Sequence, residues 1–268
     1  MSGAGAGAGA GWHTWPMPAK RLSADYWDGW YAGKAATTVI GAVMNQNLGL
    51  PPDLLAGILP AEAIPELAAE LRLRPGATLL DLACGRAGYG LMIARGSGAR
   101  LVGVDVSALA LAQAREQAAR LGADDASFQI GDLVAPGLPD ASADAVLCTD
   151  AIQFPDDPPA AYREIRRVLR PGGRIVLTCW QPVDPADERL SDRLRRVDLA
   201  GGLAGAGCTE IEVRERPAWL DRERAVWDEA AAIDPGDDPA LASFHGEAVR
   251  SLEHTTLIRR VLAVATAP

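Results

Sequence analysis

The sequence predicts an α/β protein built on a doubly wound, mostly parallel sheet of seven strands. Three observations lead there. From residue 77 onward, short apolar runs alternate with helical stretches, the pattern of strand–helix–strand units. The apolar runs lack regular apolar–polar alternation, as expected of strands buried on both faces. Gly, Pro and capping residues punctuate the boundaries between them.

Taken in order, residues 2–11 alternate Gly and Ala apart from Ser2, and residues 1–22 read as a flexible tail. Residues 23–74 read as a helical N-terminal region. Within it, residues 24–36 suit a short helix with Ser23 as its cap. Asn45-Gln46-Asn47 breaks the pattern, and a helix over 62–73 is ended by Pro75-Gly76. Strands are predicted over 77–83, 100–105, 127–130, 143–151, 174–180, 209–216 and 260–266. Helices are predicted over 88–94, over 107–120 with Ser107 as cap and Gly122 as stop, and over 159–169, stopped by Pro171-Gly172-Gly173. Residues 187–203 read as one helix, and helical stretches over 221–233 and 239–258 precede the last strand. No internal repeat is evident.

Composition narrows the function. The 268 residues carry a formal charge of −9, from 26 basic and 35 acidic side chains. That balance disfavours nonspecific binding to nucleic acid or anionic membranes. With 49% hydrophobic and 23% charged residues, the chain reads as globular. No apolar run approaches the roughly 18 residues of a membrane span, and the N-terminus lacks a basic secretory n-region. A cytoplasmic location is expected. Cys84, Cys148, Cys179 and Cys208 show no CxxC spacing, so free thiols are expected and no metal site is indicated. Trp supplies seven aromatics against four Tyr and three Phe. Trp12, Trp15, Trp27 and Trp30 crowd the first thirty residues, and aromatics of that size are costly to leave in water.

The chemistry concentrates in Leu79-Leu80-Asp81-Leu82-Ala83-Cys84-Gly85-Arg86-Ala87-Gly88-Tyr89-Gly90. A strand ends there in a small-residue turn that opens a helix, so backbone can approach a ligand beside free N–H groups. The Lys-Ser/Thr of a phosphate-binding loop is absent. Gly85, Gly88 and Gly90 do not have the spacing of a dinucleotide fingerprint. Asp81 before the turn would repel a pyrophosphate and welcome an ammonium or sulfonium. Asp105 ends the next strand, where a carboxylate can accept hydrogen bonds from both ribose hydroxyls. Gly131-Asp132-Leu133 and Cys148-Thr149-Asp150 follow the third and fourth strands. Ligands of open parallel sheets bind at such carboxyl ends.

The series Leu-Asp-Leu-Ala-Cys-Gly, Gly-Val-Asp-Val-Ser, Gly-Asp-Leu, Ser-Ala-Asp-Ala-Val and Arg-Arg-Val-Leu-Arg-Pro-Gly-Gly-Arg, over residues 70–181, resembles the class I, Rossmann-like S-adenosylmethionine-dependent methyltransferases. It is most similar to small-molecule enzymes of the ubiquinone-biosynthesis and sarcosine-methylation type. The resemblance implies an antiparallel last strand and a methyltransferase domain over 75–268, with an acceptor-pocket insertion over 221–258. It implies S-adenosylmethionine as cofactor and S-adenosylhomocysteine as its product. Asp81 and the turn Ala83, Cys84 and Gly85 would hold the methionine moiety. Asp105 would take the ribose, and Val106, Gly131, Asp132 and Leu133 would surround the adenine. Thr149 and Asp150 would lie near sulfonium and acceptor. The family often has Gly where this chain has Ala83 and Ala87, whose methyl groups narrow the turn.

An N-terminal helix often covers the cofactor in such enzymes. Trp27, Trp30 and Tyr31 share a helical face, and with Tyr26 they suit an aromatic lid over a cation. The expected acceptor is a small molecule, methylated on O or N, within secondary metabolism. If it must lose a proton, His245 in the insertion is the first candidate base, with Asp150 and Tyr31 as further catalytic candidates. Nonmethyl chemistry such as cyclisation, or a noncatalytic partner subunit, is the alternative. The assembly is expected to be a monomer or homodimer.

Overall fold

Strand β1 (Thr78–Leu82) is buried at every position, which explains its three leucines and leaves Asp81 as the one buried acid within it. It lies at the centre of a sheet completed by β2 (Arg100–Asp105), β3 (Ala126–Ile130), β4 (Ala143–Thr149), β5 (Leu169–Pro182), β6 (Thr209–Glu215) and β7 (Ile258–Thr266). The computed structural model describes residues 22–35, 38–54 and 56–268. The seven strands run in the order β3-β2-β1-β4-β5-β7-β6. The first five pair in parallel, and β7 is antiparallel to both β5 and β6. The tail expected over residues 1–22, with Trp12 and Trp15, lies outside the described residues apart from Leu22.

Successive strand residues point to opposite faces, and each face has its own core. Leu79, Leu101, Leu147, Val176 and Leu262 join one cluster. Leu80, Val104, Val146, Leu177 and Val261 join the other. The first face is covered by α3 (Ala63–Leu71), α4 (Gly88–Ser97) and α5 (Ala108–Leu121), together with α9 (Pro217–Ala232) and α10 (Pro239–His254). The second is covered by α6 (Pro158–Val168) and α8 (Leu199–Gly205). Ser107, Asp157 and Asp238 each accept backbone N–H groups at the start of α5, α6 and α10, satisfying donors that no helical carbonyl can reach.

Three expectations from the sequence need correction. Asn45-Gln46-Asn47 does not break a helix; it lies within α2 (Thr38–Leu48). The Asn45 amide turns away from its own helix and donates to the carbonyls of Pro51, Pro52 and Leu54 at 2.7, 3.1 and 3.2 Å. That tertiary bonding offsets its weak helix preference. Residues 187–203 form not one helix but α7 (Asp192–Arg195) and α8. Asp198 stops the first by starting the second, accepting the Gly201 N–H at 2.8 Å. Pro171-Gly172-Gly173 is inside β5, where Gly172 takes a φ of 76° and the pairing with β4 shifts register.

The N-terminal region divides. Ile40, Val43, Met44 and Leu48 of α2 belong to the same core as Trp219, Val226 and Trp227 of α9. Helix α1 (Ala24–Ala35) instead lies across the carboxyl end of the sheet and is tied to α5. The Ser107 hydroxyl donates to Asp28 Oδ1 at 2.5 Å, and the Leu109 N–H donates to the same oxygen at 3.1 Å. Asp28 therefore caps another helix than its own, and a carboxylate is favoured at that N-terminus. Asp28→Ala is expected to cost about 1 kcal/mol of stability, the usual loss for a helix cap. Cleavage within residues 22–35 should also accelerate; thermal melts and limited proteolysis check both outcomes.

Candidate functional site

The carboxyl ends of β1 to β5 and the start of β7 open into a cavity of about 720 Å³, roofed by α1 and walled by α9 and α10. At one end lies the turn after β1. Ala83, Gly85 and Ala87 have φ values of 54°, 54° and 59°, so the turn holds two non-glycine residues in the left-handed region. Each such residue costs about 1–2 kcal/mol, which the surrounding hydrogen bonds offset. The Gly85 N–H donates to Asp105 Oδ2 at 2.8 Å, the Cys84 N–H to the Val104 carbonyl at 3.0 Å, and the Gln117 amide to the Arg86 carbonyl at 2.8 Å. The Tyr31 hydroxyl lies against Gly85 where a Cβ would project. Any side chain here would close the cradle.

Asp105 is the junction of this end. Its Oδ2 takes the Gly85 N–H and its Oδ1 takes the Ser107 N–H at 2.9 Å. The Val106 N–H also reaches it, and because a carboxylate has about four lone-pair sites, acceptor capacity remains toward the cavity. Burial pushes its pKa up, opposed by these N–H donors. Val106, Gly131, Asp132, Leu133, Thr149 and Asp150 continue the wall. Gly131 is required by packing as well, since a Cβ would meet Val104 Cγ1 at 2.6 Å and the Pro136 carbonyl at 2.8 Å.

Tyr26, Trp27, Trp30 and Tyr31 all face the cavity from α1. Trp27 meets Phe154 edge-on at 5.0 Å, and Trp30 meets Tyr31 at 4.9 Å with planes 87° apart. Those are favourable edge-to-face pairs. Burial, with the nearby Asp105 charge, holds the Tyr31 hydroxyl well above the usual phenol range. It is neutral at physiological pH and available as a hydrogen-bond donor.

Of the far end, only Thr149 and Asp150 were read from the sequence. Arg260, 1% exposed, grips Asp150 through two hydrogen bonds of 2.8 Å. Asp150 Oδ1 also accepts the Thr178 hydroxyl at 2.8 Å. Arg260 stands 3.4 Å from Glu223 and 4.2 Å from the Trp180 ring centroid. The Trp180 and Trp227 indoles donate to Glu223 at 3.0 and 3.2 Å. Burial raises the Glu223 pKa, against the attraction of Arg260. Asp150 thus has both oxygens committed, an arrangement suited to shaping the cavity floor and unsuited to proton transfer. A signal existed: Arg260, after Arg259, leads into the apolar run of β7.

Two other expected site residues do not reach the cavity wall. Glu247, Arg250, Ser251 and His254 line it from α10, a stripe at i, i+3, i+4 and i+7. His245 lies two residues before Glu247, on the opposite face, and does not line the cavity. Asp81 sits behind the turn, 2% exposed and off the cavity wall. It accepts the Gly90 N–H, and its Oδ1 has no partner among the described residues.

Burial, followed by the nearby Asp105 charge, raises the Asp81 pKa from 3.8 to about 8. The folded chain therefore holds this proton at pH values where the unfolded chain has lost it. The associated stability is complete below the unfolded value and is lost as pH rises through about 8. Asp81→Asn cannot ionise. Relative to the parent, it should gain stability steadily between about pH 4 and pH 8, with denaturant unfolding across that range as the measurement.

A left-handed glycine cradle, a strand-end carboxylate with spare acceptor capacity and an aromatic roof fit a cationic nucleoside cofactor. Comparison with known proteins agrees. A methyltransferase-domain family profile matches residues 80–177. The chain is 31% identical over 191 residues to 27-O-demethylrifamycin SV methyltransferase of Amycolatopsis mediterranei, covering 70% of each chain. It is 39% identical over 119 residues to nocamycin O-methyltransferase of Saccharothrix syringae, covering 43% of this chain and 41% of that one. Among solved structures, the (4+2)-cyclase SpnF superposes with a TM-score of 0.72 at 21% identity, over 92% of this chain and 97% of that one. Phosphoethanolamine N-methyltransferase 2 of Haemonchus contortus, solved with S-adenosyl-L-methionine, gives 0.71 at 18% identity, over 90% and 60%. At these identities the structural likeness speaks for the fold. The fold, the ordered motifs and the rifamycin-enzyme similarity agree: the chain belongs to the class I, Rossmann-like S-adenosylmethionine-dependent methyltransferases.

Proposed function

We propose that the protein methylates an oxygen or nitrogen of a small-molecule acceptor held in the far half of its cavity, beside Trp180, Trp227 and Ser251. The carrying observation is the continuity of one cavity from the glycine turn to that aromatic wall. Its volume of about 720 Å³ lies high in the usual range for ligand pockets, room for a cofactor and an acceptor side by side. The rifamycin and nocamycin enzymes among its relatives support an acceptor from secondary metabolism.

S-adenosylmethionine supplies a methyl group already activated on a sulfonium. The work left to this chain is alignment and exclusion of water. In this reading Asp105 accepts the ribose hydroxyls with its spare lone pairs, and Gly85 lets the chain approach the methionine moiety. Val106, Asp132 and Leu133 border the adenine. Tyr26, Trp27, Trp30 and Tyr31 form a lid whose ring faces can attract the sulfonium, and Asp28 holds that lid down. The ionic floor of Asp150, Arg260 and Glu223 keeps the acceptor end rigid.

Calorimetry should show saturable binding of S-adenosylmethionine and S-adenosylhomocysteine, and binding of neither rejects the reading. Asp105→Ala should weaken that binding by about 1–3 kcal/mol through loss of a charged acceptor. Unchanged affinity would remove Asp105 from the site. Product mass spectrometry separates methyl transfer, which adds one methyl group, from cyclisation, which adds none.

A further inference from the structure

Among the described residues, buried guanidinium groups usually keep at least one partner, even where one nitrogen is unbonded, as in Arg195, Arg214 and Arg260. Most described arginines have an ion pair or a hydrogen bond. Those with neither, such as Arg72, Arg95 and Arg120, are exposed. Arg193 and Arg250 break this pattern. Both are partly buried and both line the cavity. Arg193 Nη1 and Arg250 Nε are buried with no hydrogen-bond partner. Among the described residues no carboxylate comes within 4.0 Å of either.

Asp156, Asp157 and Glu247 line the same cavity, but none of them comes within ion-pair distance of either guanidinium. Arg193 stands over the Phe154 ring at 5.8 Å. Burial lowers its pKa, with Asp156 opposing from beyond ion-pair range and Arg196 adding repulsion. Arg250 folds back along α10 toward Gly246. An unpaired guanidinium out of water is costly, and the cost is relieved when an anion reaches it. Two of them lining one cavity offer donors that match planar or tetrahedral oxyanions, since each presents a fork of N–H groups.

We propose that Arg193 and Arg250 form an anion subsite at the acceptor end of the cavity, so that the methyl acceptor carries a carboxylate or phosphate group. This rests on the reading of the cavity as a cofactor and acceptor site. The cofactor's own carboxylate does not account for the pair, because it belongs with the methionine moiety at the glycine turn, where Arg86 lines the wall.

The test uses the full chain saturated with S-adenosylhomocysteine, titrated calorimetrically with sodium phosphate, with benzoate and with uncharged benzyl alcohol. Saturable binding of phosphate, benzoate or both is expected, weakening with added salt and exceeding that of benzyl alcohol. Binding of only one anion identifies the group. Arg193→Met and Arg250→Met should each lower anion affinity about tenfold while leaving S-adenosylhomocysteine affinity unchanged, which also shows that the variants fold. Ser251→Asp, which adds to Glu247 a second carboxylate directly next to Arg250, should abolish anion binding with both arginines present. If neither anion binds the parent, or binding survives all three substitutions, the subsite is rejected. If S-adenosylhomocysteine itself does not bind, the functional reading fails instead.

Discussion

The carboxylate of Asp105 holds this site together. It closes the turn after β1 through the Gly85 N–H and supports the start of α5 through the Ser107 N–H. Ser107 then caps α5 and donates to Asp28 of the overlying helix. One strand-end side chain thus links two strands, a helix N-terminus and the roof of the cavity. The position follows from topology. A parallel strand followed by a helix delivers its last residue to the sheet edge, beside the neighbouring turn. Fixed N–H donors around it make a place where hydroxyl groups can be received without rearrangement.

At the other end, order comes from charges out of water. Arg260 brings a cation into the interior, and Asp150, Glu223 and the Trp180 ring surround it. Such a group adds little net stability, because desolvation offsets attraction. Its effect is geometric: it anchors the left-handed Asp150, whose φ is 56°, and orients two indoles at the cavity wall. The glycine-turn end is thus organised by backbone donors and the acceptor end by side chains. That difference explains why the first end carries recognisable motifs and the second does not.

The alternating strands and helices of the sheet, the capping roles of Ser107 and Gly122, and the gathering of Ala83, Gly85, Asp105, Asp132 and Thr149 could be read from local spacing. Local spacing misled where distant partners decide. Asn45 looked like a helix breaker until three carbonyls beyond its helix bound its amide. His245 looked like the useful histidine because helical phase relative to the cavity is invisible until α10 is docked. Asp81 reads as a ligand-facing acid in the motif, yet its strand turns it behind the loop. For the tryptophans, the aromatic face of α1 was legible, but its attachment by Asp28 to a helix some eighty residues away was not.

By itself the sequence determined the doubly wound sheet, its crevice and the small-residue turn after β1, because these depend on residues close together in the chain. Tertiary structure alone decided the acceptor end. Arg193, Glu223, Arg250 and Arg260 come from four separate elements or their edges. Their meaning lies in which charges find partners once water is excluded. That balance exists only after the chain has folded.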